Sequence, residues 1–302
     1  MVSRRGDLGA VLLPVLALIL SMISIQAGAA VAQRLFPLVG PQGATALRLT
    51  LATLILLAIR RPSLKGLTGG QIKAIALYGA SLGAMNLLFY MAVRTIPLGI
   101  AVAVEFAGPL VVAALSQRSR WDILWLVLAA AGLVALAPFG QGQAAPDGMG
   151  LLLALGAGLF WGLYILFGQK AGEAGSGAAT GWGMAAGAVL VVPFGVAHAG
   201  TALFNPALLP LALAVAVLSS ALPYTLEMFA LTRLPKATFG ALMSLEPVVG
   251  ALAGWLMLGQ RLTLRQGLAI ACVMIASAGA TATFAARRSR ESDALPPTFS
   301  LD

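Results

Sequence analysis

Residues 97–109 read PLGIAVAVEFAGP, and residues 235–247 read PKATFGALMSLEP. Shifted by 138 positions, Pro97 falls on Pro235, Ala103 on Ala241 and Pro109 on Pro247, with Ala92 on Ala230 and Ala113 on Ala251 flanking them. A neighbouring offset of 136 lays Gln33-Arg34 on Gln169-Lys170. Prolines aligned inside apolar runs arise by chance less readily than aligned alanines, so the chain is expected to hold two copies of one unit.

Outward from these motifs, a window of about 19 residues finds ten apolar stretches: 11–32, 42–59, 72–93, 98–116, 121–138, 148–168, 179–198, 208–231, 237–258 and 266–284. Each approaches the roughly 20 residues that a helix needs to cross a hydrocarbon core of about 30 Å. A chain that is 60% hydrophobic and 10% charged has too few polar residues to cover a water-soluble fold of 302 residues. Lipid offers a backbone N–H or C=O no partner, which favours helices, and the alternating segments of a barrel are absent. The expected fold is therefore an all-α integral membrane protein of ten transmembrane helices.

Five spans per half is an odd number, so the second half must enter the membrane from the opposite face. The halves are read as inverted-topology five-helix repeats over 1–139 and 148–285, followed by a cytoplasmic tail over 286–302. The loop from Phe139 to Asp147, with Gly140, Gly142 and Pro146, has the composition of a linker.

The net charge of +9 is distributed as a topology signal. Of 19 Lys and Arg, 14 fall at the ends that share a side with both termini, four on the other side, and Arg48 lies within a span. This positive-inside asymmetry places both termini in the cytoplasm and leaves no basic patch for nucleic acid. Ser3-Arg4-Arg5 and the following apolar run are read as the first span, because that run exceeds the usual length of a signal h-region. Cys272 is the single cysteine, so no internal disulfide forms.

Small residues recur four apart at Gly79 and Gly83, Gly158 and Gly162, Gly183 and Gly187, and Gly250 and Gly254. In lipid this spacing lets backbones approach. It is read as packing inside the chain rather than as a dimerisation face; for oligomeric state the sequence carries no other signal.

Enzyme chemistry finds little support. Gly79-Ala80-Ser81-Leu82-Gly83 matches the nucleophile-elbow pattern but lies inside an apolar helix with no preceding strand. The single histidine, His198, is placed at the opposite membrane face from Ser81 and is given no role. No phosphate-binding loop and no metal motif occur, and no cofactor is expected.

Charged residues within spans carry the functional signal. A charge at the bilayer centre costs at least about 2.5–3.5 kcal/mol on insertion scales, so Arg48, Glu105, Glu227 and Glu246 are expected to face the interior. Glu105 precedes Pro109 by one turn and Glu246 directly precedes Pro247, so each carboxylate lies beside a helix breaker. Such a group suits an ammonium or a proton. The purely structural alternative is a buried ion pair between Arg48 and Glu105. Asn86 and Tyr90 share a helix face at i, i+4, while Gln26, Trp161, Tyr164 and Tyr224 add further polar or amphipathic groups.

Several segments then resemble a known family. They are Ser24-Ile25-Gln26, Leu35-Phe36-Pro37-Leu38-Val39-Gly40, Thr45-Ala46-Leu47-Arg48-Leu49 and Pro97 to Ala103 with Glu105-Phe106. The second half adds Ala221-Leu222-Pro223-Tyr224 with Leu226-Glu227-Met228, Leu231-Thr232-Arg233-Leu234-Pro235, and Phe239-Gly240 with Leu242-Met243-Ser244 and Glu246-Pro247. From about residue 10 to 285 the chain resembles the threonine/homoserine exporter family of the bacterial drug/metabolite transporter (EamA-type) superfamily. The resemblance implies two inverted five-helix repeats, an inner-membrane location, and efflux of small amino acids driven by the proton gradient. One departure stands out: Leu258-Gly259-Gln260-Arg261 occupies the place where the superfamily commonly has Leu-Gly-Glu.

The residue chemistry fits a zwitterionic amino acid, which needs a cation for its carboxylate and an acceptor for its ammonium. Arg48 supplies the first and Glu105 or Glu246 the second; Asn86, Tyr90 or Gln26 would read a hydroxyl, with Tyr164 and Tyr224 lining the path. Glu246, Glu227 and Glu105 are the expected proton-coupling carboxylates. The partners are thus an amino-acid substrate, protons and the lipid bilayer. Two other readings stay open: export of another metabolite or cationic drug, and a non-transporting membrane scaffold.

Overall fold

Helix boundaries fall where the sequence supplies caps and breakers. Thr68 accepts from the Gln71 N–H while the Gln71 side chain accepts from the Thr68 N–H, a reciprocal capping box that starts a helix over Gly69–Ala92. Asp147 accepts from the Gly150 N–H and starts another over Gly148–Gly172. Gly259, at φ +66°, ends the helix Glu246–Leu258 in the left-handed conformation that costs glycine least.

The computed structural model describes residues 4–63, 65–109, 111, 120–136, 147–231, 233–234, 239 and 242–294. In chain order the helices are α1 (Arg4–Ala32), α2 (Phe36–Arg60), α3 (Gly69–Ala92), α4 (Leu98–Glu105), α5 (Arg120–Leu136), α6 (Gly148–Gly172) and α7 (Ser176–Ala199). Two short 3₁₀ turns lead into α8 (Leu209–Ala216), which passes through a widened π-turn at Val217–Ala221 into α9 (Leu222–Leu231). The described chain closes with α10 (Glu246–Leu258) and α11 (Leu264–Ala294).

Among the described residues, six helical stretches are long and apolar enough to cross a membrane: Leu12–Ala32, Phe36–Ile59, Gly69–Ala92, Gly148–Gly172, Gly177–Phe204 and Pro206–Glu227. They coincide with six of the expected spans. The other four overlap shorter apolar helices at Leu98–Pro109, Ile123–Ala135, Glu246–Leu258 and Leu264–Ala280. The expected linker up to Pro146, Pro235 and the last eight residues of the tail lie outside the described residues.

Burial follows helix composition. α4 is apolar on every side and is buried from Leu98 to Glu105, as an all-round hydrophobic helix must be. It packs on α10 and α6, while α3 packs on α6 and α7, α2 on α7, α1 on α9, and α5 on α11. Leu13, Leu152, Leu159, Val189 and Leu256 are exposed on the outside of the bundle, a surface that lipid covers. The glycine pairs work inside the chain, as expected: a methyl group on Gly83 would come within 2.7 Å of the Gly187 carbonyl oxygen, and one on Gly187 within 2.8 Å of that of Gly79. Glycine is what lets α3 and α7 touch backbone to backbone.

Candidate functional site: a charged interior around a proline-broken helix

Pro223 explains the centre of the site. Proline has no N–H, so the carbonyls four and five residues earlier, Ser219 and Leu218, lose their helical donors. Both are satisfied by other helices. Arg48 Nη2 donates to Ser219 O at 2.7 Å, and Ser24 Oγ donates to Leu218 O at 2.7 Å. Arg48 Nε also donates to Ser220 Oγ at 3.0 Å, and its guanidinium lies 5.1 Å from the centre of the Tyr90 ring. The π-turn is thus the dock of Arg48, with Tyr90 of α3 beside it.

The backbone is crowded where α1 crosses this turn. A methyl group on Gly28 would stand 2.9 Å from the Ser219 nitrogen and run into the Ser219 hydroxyl. Only a residue without a side chain fits there.

The carboxylates lie around this centre. Glu246 opens α10, where a helix N-terminus favours negative charge, and Pro247 sits in the first turn, where its missing N–H leaves no bond unmade. The span breaks before Glu246 rather than kinking through it. Gln26 Nε2 donates to Glu246 Oε1 at 3.1 Å, leaving Glu246 Oε2 and Gln26 Oε1 enclosed without partners. Glu105 ends α4, within electrostatic reach of Glu246 and Arg48. Glu227 Oε1 accepts from Ser21 Oγ at 3.0 Å.

The Arg48–Glu105 ion pair, the purely structural alternative, does not form: Arg48 spends donors on Ser219 and Ser220, and Glu105 has no hydrogen-bond partner among the described residues. The Ser219 carbonyl, left without its helical donor by Pro223, and the Ser220 hydroxyl take the guanidinium instead.

The remaining expected residues divide between two places. Asn86 donates to Leu82 O at 2.8 Å and is also a hydrogen-bond neighbour of Tyr224. Tyr90 is fully buried with its hydroxyl unpartnered. Tyr164 pairs with Tyr78, their ring centres 4.8 Å apart. Trp161 meets Phe106 edge-on at 4.8 Å, a packing role. Ser81 donates to Leu77 O in its own helix at 2.9 Å, and His198 is exposed beside Gly40.

The sequence reading missed Ser21, Ser24, Tyr78, Ser219 and Ser220. The signal for two of them was present, since Ser219-Ser220 stand four and three residues before a proline inside an apolar span. Gln260 also acquires a place: its Oε1 accepts from the Leu98 N–H at 2.9 Å, capping α4 from the opposite half of the chain.

An apolar helical bundle that buries one arginine and several carboxylates around a broken helix is a membrane transporter in its construction. The EamA-like transporter family model matches residues 148–282. The threonine/homoserine exporter RhtA of Salmonella typhimurium is 52% identical over 271 residues, covering 90% of this chain and 92% of its own. RhtA of Escherichia coli strain K12 is 51% identical over the same length and coverage. A crystal structure aligns with 90% of this chain and 98% of its own at TM-score 0.57 and 18% identity, a likeness of fold. The chain belongs to the threonine/homoserine exporter family of EamA-like transporters.

Proposed function

We propose that this chain exports threonine and homoserine across the bacterial inner membrane by proton-coupled alternating access, with both termini in the cytoplasm. The observation that carries the reading is a charged interior in which Glu105 lies within electrostatic reach of both Arg48 and Glu246, in a chain 52% identical to proteins named threonine/homoserine exporters. Arg48 keeps a guanidinium edge free of hydrogen bonds and takes the substrate carboxylate. Glu246 Oε2, enclosed and unpartnered, takes the ammonium or a proton by turns. Gln26 Oε1 and the Tyr90 hydroxyl, also unpartnered, take the substrate hydroxyl. An analogue without that hydroxyl leaves these groups unpaired, the stronger route to discrimination.

Ten spans in two inverted repeats are part of the proposal. The larger cross-half contacts support it, because exchanging the halves turns each into another that exists: α3 on α6 becomes α1 on α9, α3 on α7 becomes α2 on α8, and α4 on α6 becomes α1 on α10. The pairs α2–α7, α4–α10 and α5–α11 map onto themselves.

Proteoliposomes containing the purified chain, loaded with radiolabelled threonine, homoserine or unrelated amines and given a proton gradient, test the function. Accumulation of the two hydroxy amino acids against their gradients is expected. Transport of amines alone would replace the amino-acid reading by a cationic cargo.

A further inference from the structure

We infer that Tyr78, Tyr164 and Glu227, joined to the Arg48 centre through Tyr224, form a second binding site that receives the primary ammonium group of the substrate on its way in from the cytoplasm. The inference rests on the proposed function for its substrate and its direction. Tyr78 precedes Tyr90 by twelve residues of α3, which puts it about 18 Å along the helix axis. The displacement is toward the end bearing Arg61, Lys65 and Lys73, the side read as cytoplasmic.

The chemistry of the cluster selects a cation. Glu227 lies within electrostatic reach of Tyr78, Tyr164, Tyr224 and Glu246, and no Lys or Arg pairs with it among the described residues, although Arg48 reaches Tyr224 at the inner edge of the cluster. Ser21 holds one carboxylate oxygen at 3.0 Å, and the other makes no hydrogen bond. The Tyr78 and Tyr164 hydroxyls stand 3.4 Å apart, longer than an ordinary O–H···O bond, so they satisfy each other poorly and keep capacity for a ligand. Tyr164, Tyr224 and Glu227 retain partial exposure, unlike Arg48, Glu105 and Glu246, all at 8% or less. A carboxylate flanked by phenol oxygens and aromatic faces binds –NH3+ through hydrogen bonds and cation–π attraction together. A zwitterion entering here leads with its ammonium, and its carboxylate trails until Arg48 is reached.

The test compares the full chain with Glu227→Gln, Glu227→Asp and Tyr78→Leu in proteoliposomes, with homoserine presented at the cytoplasmic face and butylammonium as a probe lacking a carboxylate. Loss of one charge-assisted contact in Glu227→Gln should raise the KM for homoserine by about tenfold or more, with the loss falling mainly on KM. Butylammonium should inhibit the full chain and raise its melting temperature in detergent, and both effects should be lost in Glu227→Gln. Glu227→Asp should recover part of the inhibition, and Tyr78→Leu should raise KM severalfold. A wild-type KM with intact butylammonium inhibition in Glu227→Gln would overturn the site. So would a collapse of maximal rate at unchanged KM, which would assign Glu227 to proton coupling. If the full chain carries no homoserine at all, the functional reading fails, and the thermal shift by butylammonium still decides the site.

Discussion

Glu105 in α4 and Glu246 in α10 lie in spans that the sequence aligns, yet their surroundings differ at every level. Glu246 begins its helix, in the turn whose free N–H groups favour a negative charge, and Gln26 holds one of its oxygens at 3.1 Å. Glu105 stands at the last residue of α4, where a turn at Phe106 interrupts an apolar stretch that runs on to Pro109, and no described residue hydrogen-bonds to it. The backbones differ as well. A methyl group on Gly158 would stand 2.6 Å from the Glu105 carbonyl oxygen, whereas one on Gly250, a turn beyond Glu246, would meet side chains alone, Val102 at 3.1 Å and Gln26 Oε1 at 3.4 Å. One carboxylate is held at one oxygen with the other unpartnered; the other carboxylate sits on a tightly packed backbone and is itself left unheld. Residue type and span number therefore do not assign a role. Helix end and neighbour do.

The largest effect that would break this contrast is on transport. Glu246→Gln mimics the protonated form and should lower gradient-driven export by about 100-fold or more while membrane insertion persists; a variant that still concentrates substrate under a proton gradient removes Glu246 from the mechanism. Second comes packing. Gly158→Val should destabilise the protein by about 1–3 kcal/mol, read as a lower melting temperature in detergent, while Gly250→Ala should be nearly silent. Equal losses at the two glycines would erase the backbone half of the comparison.

Gln26→Leu sharpens the carboxylate half. It leaves Glu246 Oε1 buried without its donor, at a cost of about 1–3 kcal/mol in stability, and it should raise the KM for threonine more than that for valine. Smallest of all is Glu105→Gln. Were Glu105 paired with Arg48, breaking the pair would cost about 3–5 kcal/mol; since Arg48 bonds to Ser219 and Ser220 instead, a change below about 1 kcal/mol is expected. A large drop in melting temperature would restore the ion pair.

Much of this was legible in the sequence because hydrophobic length is a strong signal. Six expected spans coincide with helices long enough to cross, and Gly79 with Gly83 announced the close contact of α3 with α7. Arg48, Glu105, Glu227 and Glu246 were found because charge in an apolar span is conspicuous. Their partners were not legible. Ser24 and Ser219 are small, common and tolerated anywhere in a membrane helix; Ser24 matters because Pro223 frees the Leu218 carbonyl on another helix, and Ser219 because its own carbonyl is freed for Arg48. The Arg48–Glu105 pairing failed for the same reason: opposite charge is visible in a sequence, but an orphaned carbonyl is visible only once the proline's register is known. Gln260 shows the converse, a departure from its superfamily's pattern that the fold puts to use by capping Leu98.

The clamps on the π-turn limit how the bundle can move. Ser24 on α1 grips the carbonyl of Leu218, and Arg48 on α2 grips that of Ser219. A segment pinned at one point can swivel; pinned at two neighbouring points from two directions, it has lost that freedom. The break at Pro223 is consequently a locked joint rather than a hinge. Bending at Pro223 has to break one of these two hydrogen bonds, so the turn is tied to α1 and α2 at the point where it would otherwise flex most easily.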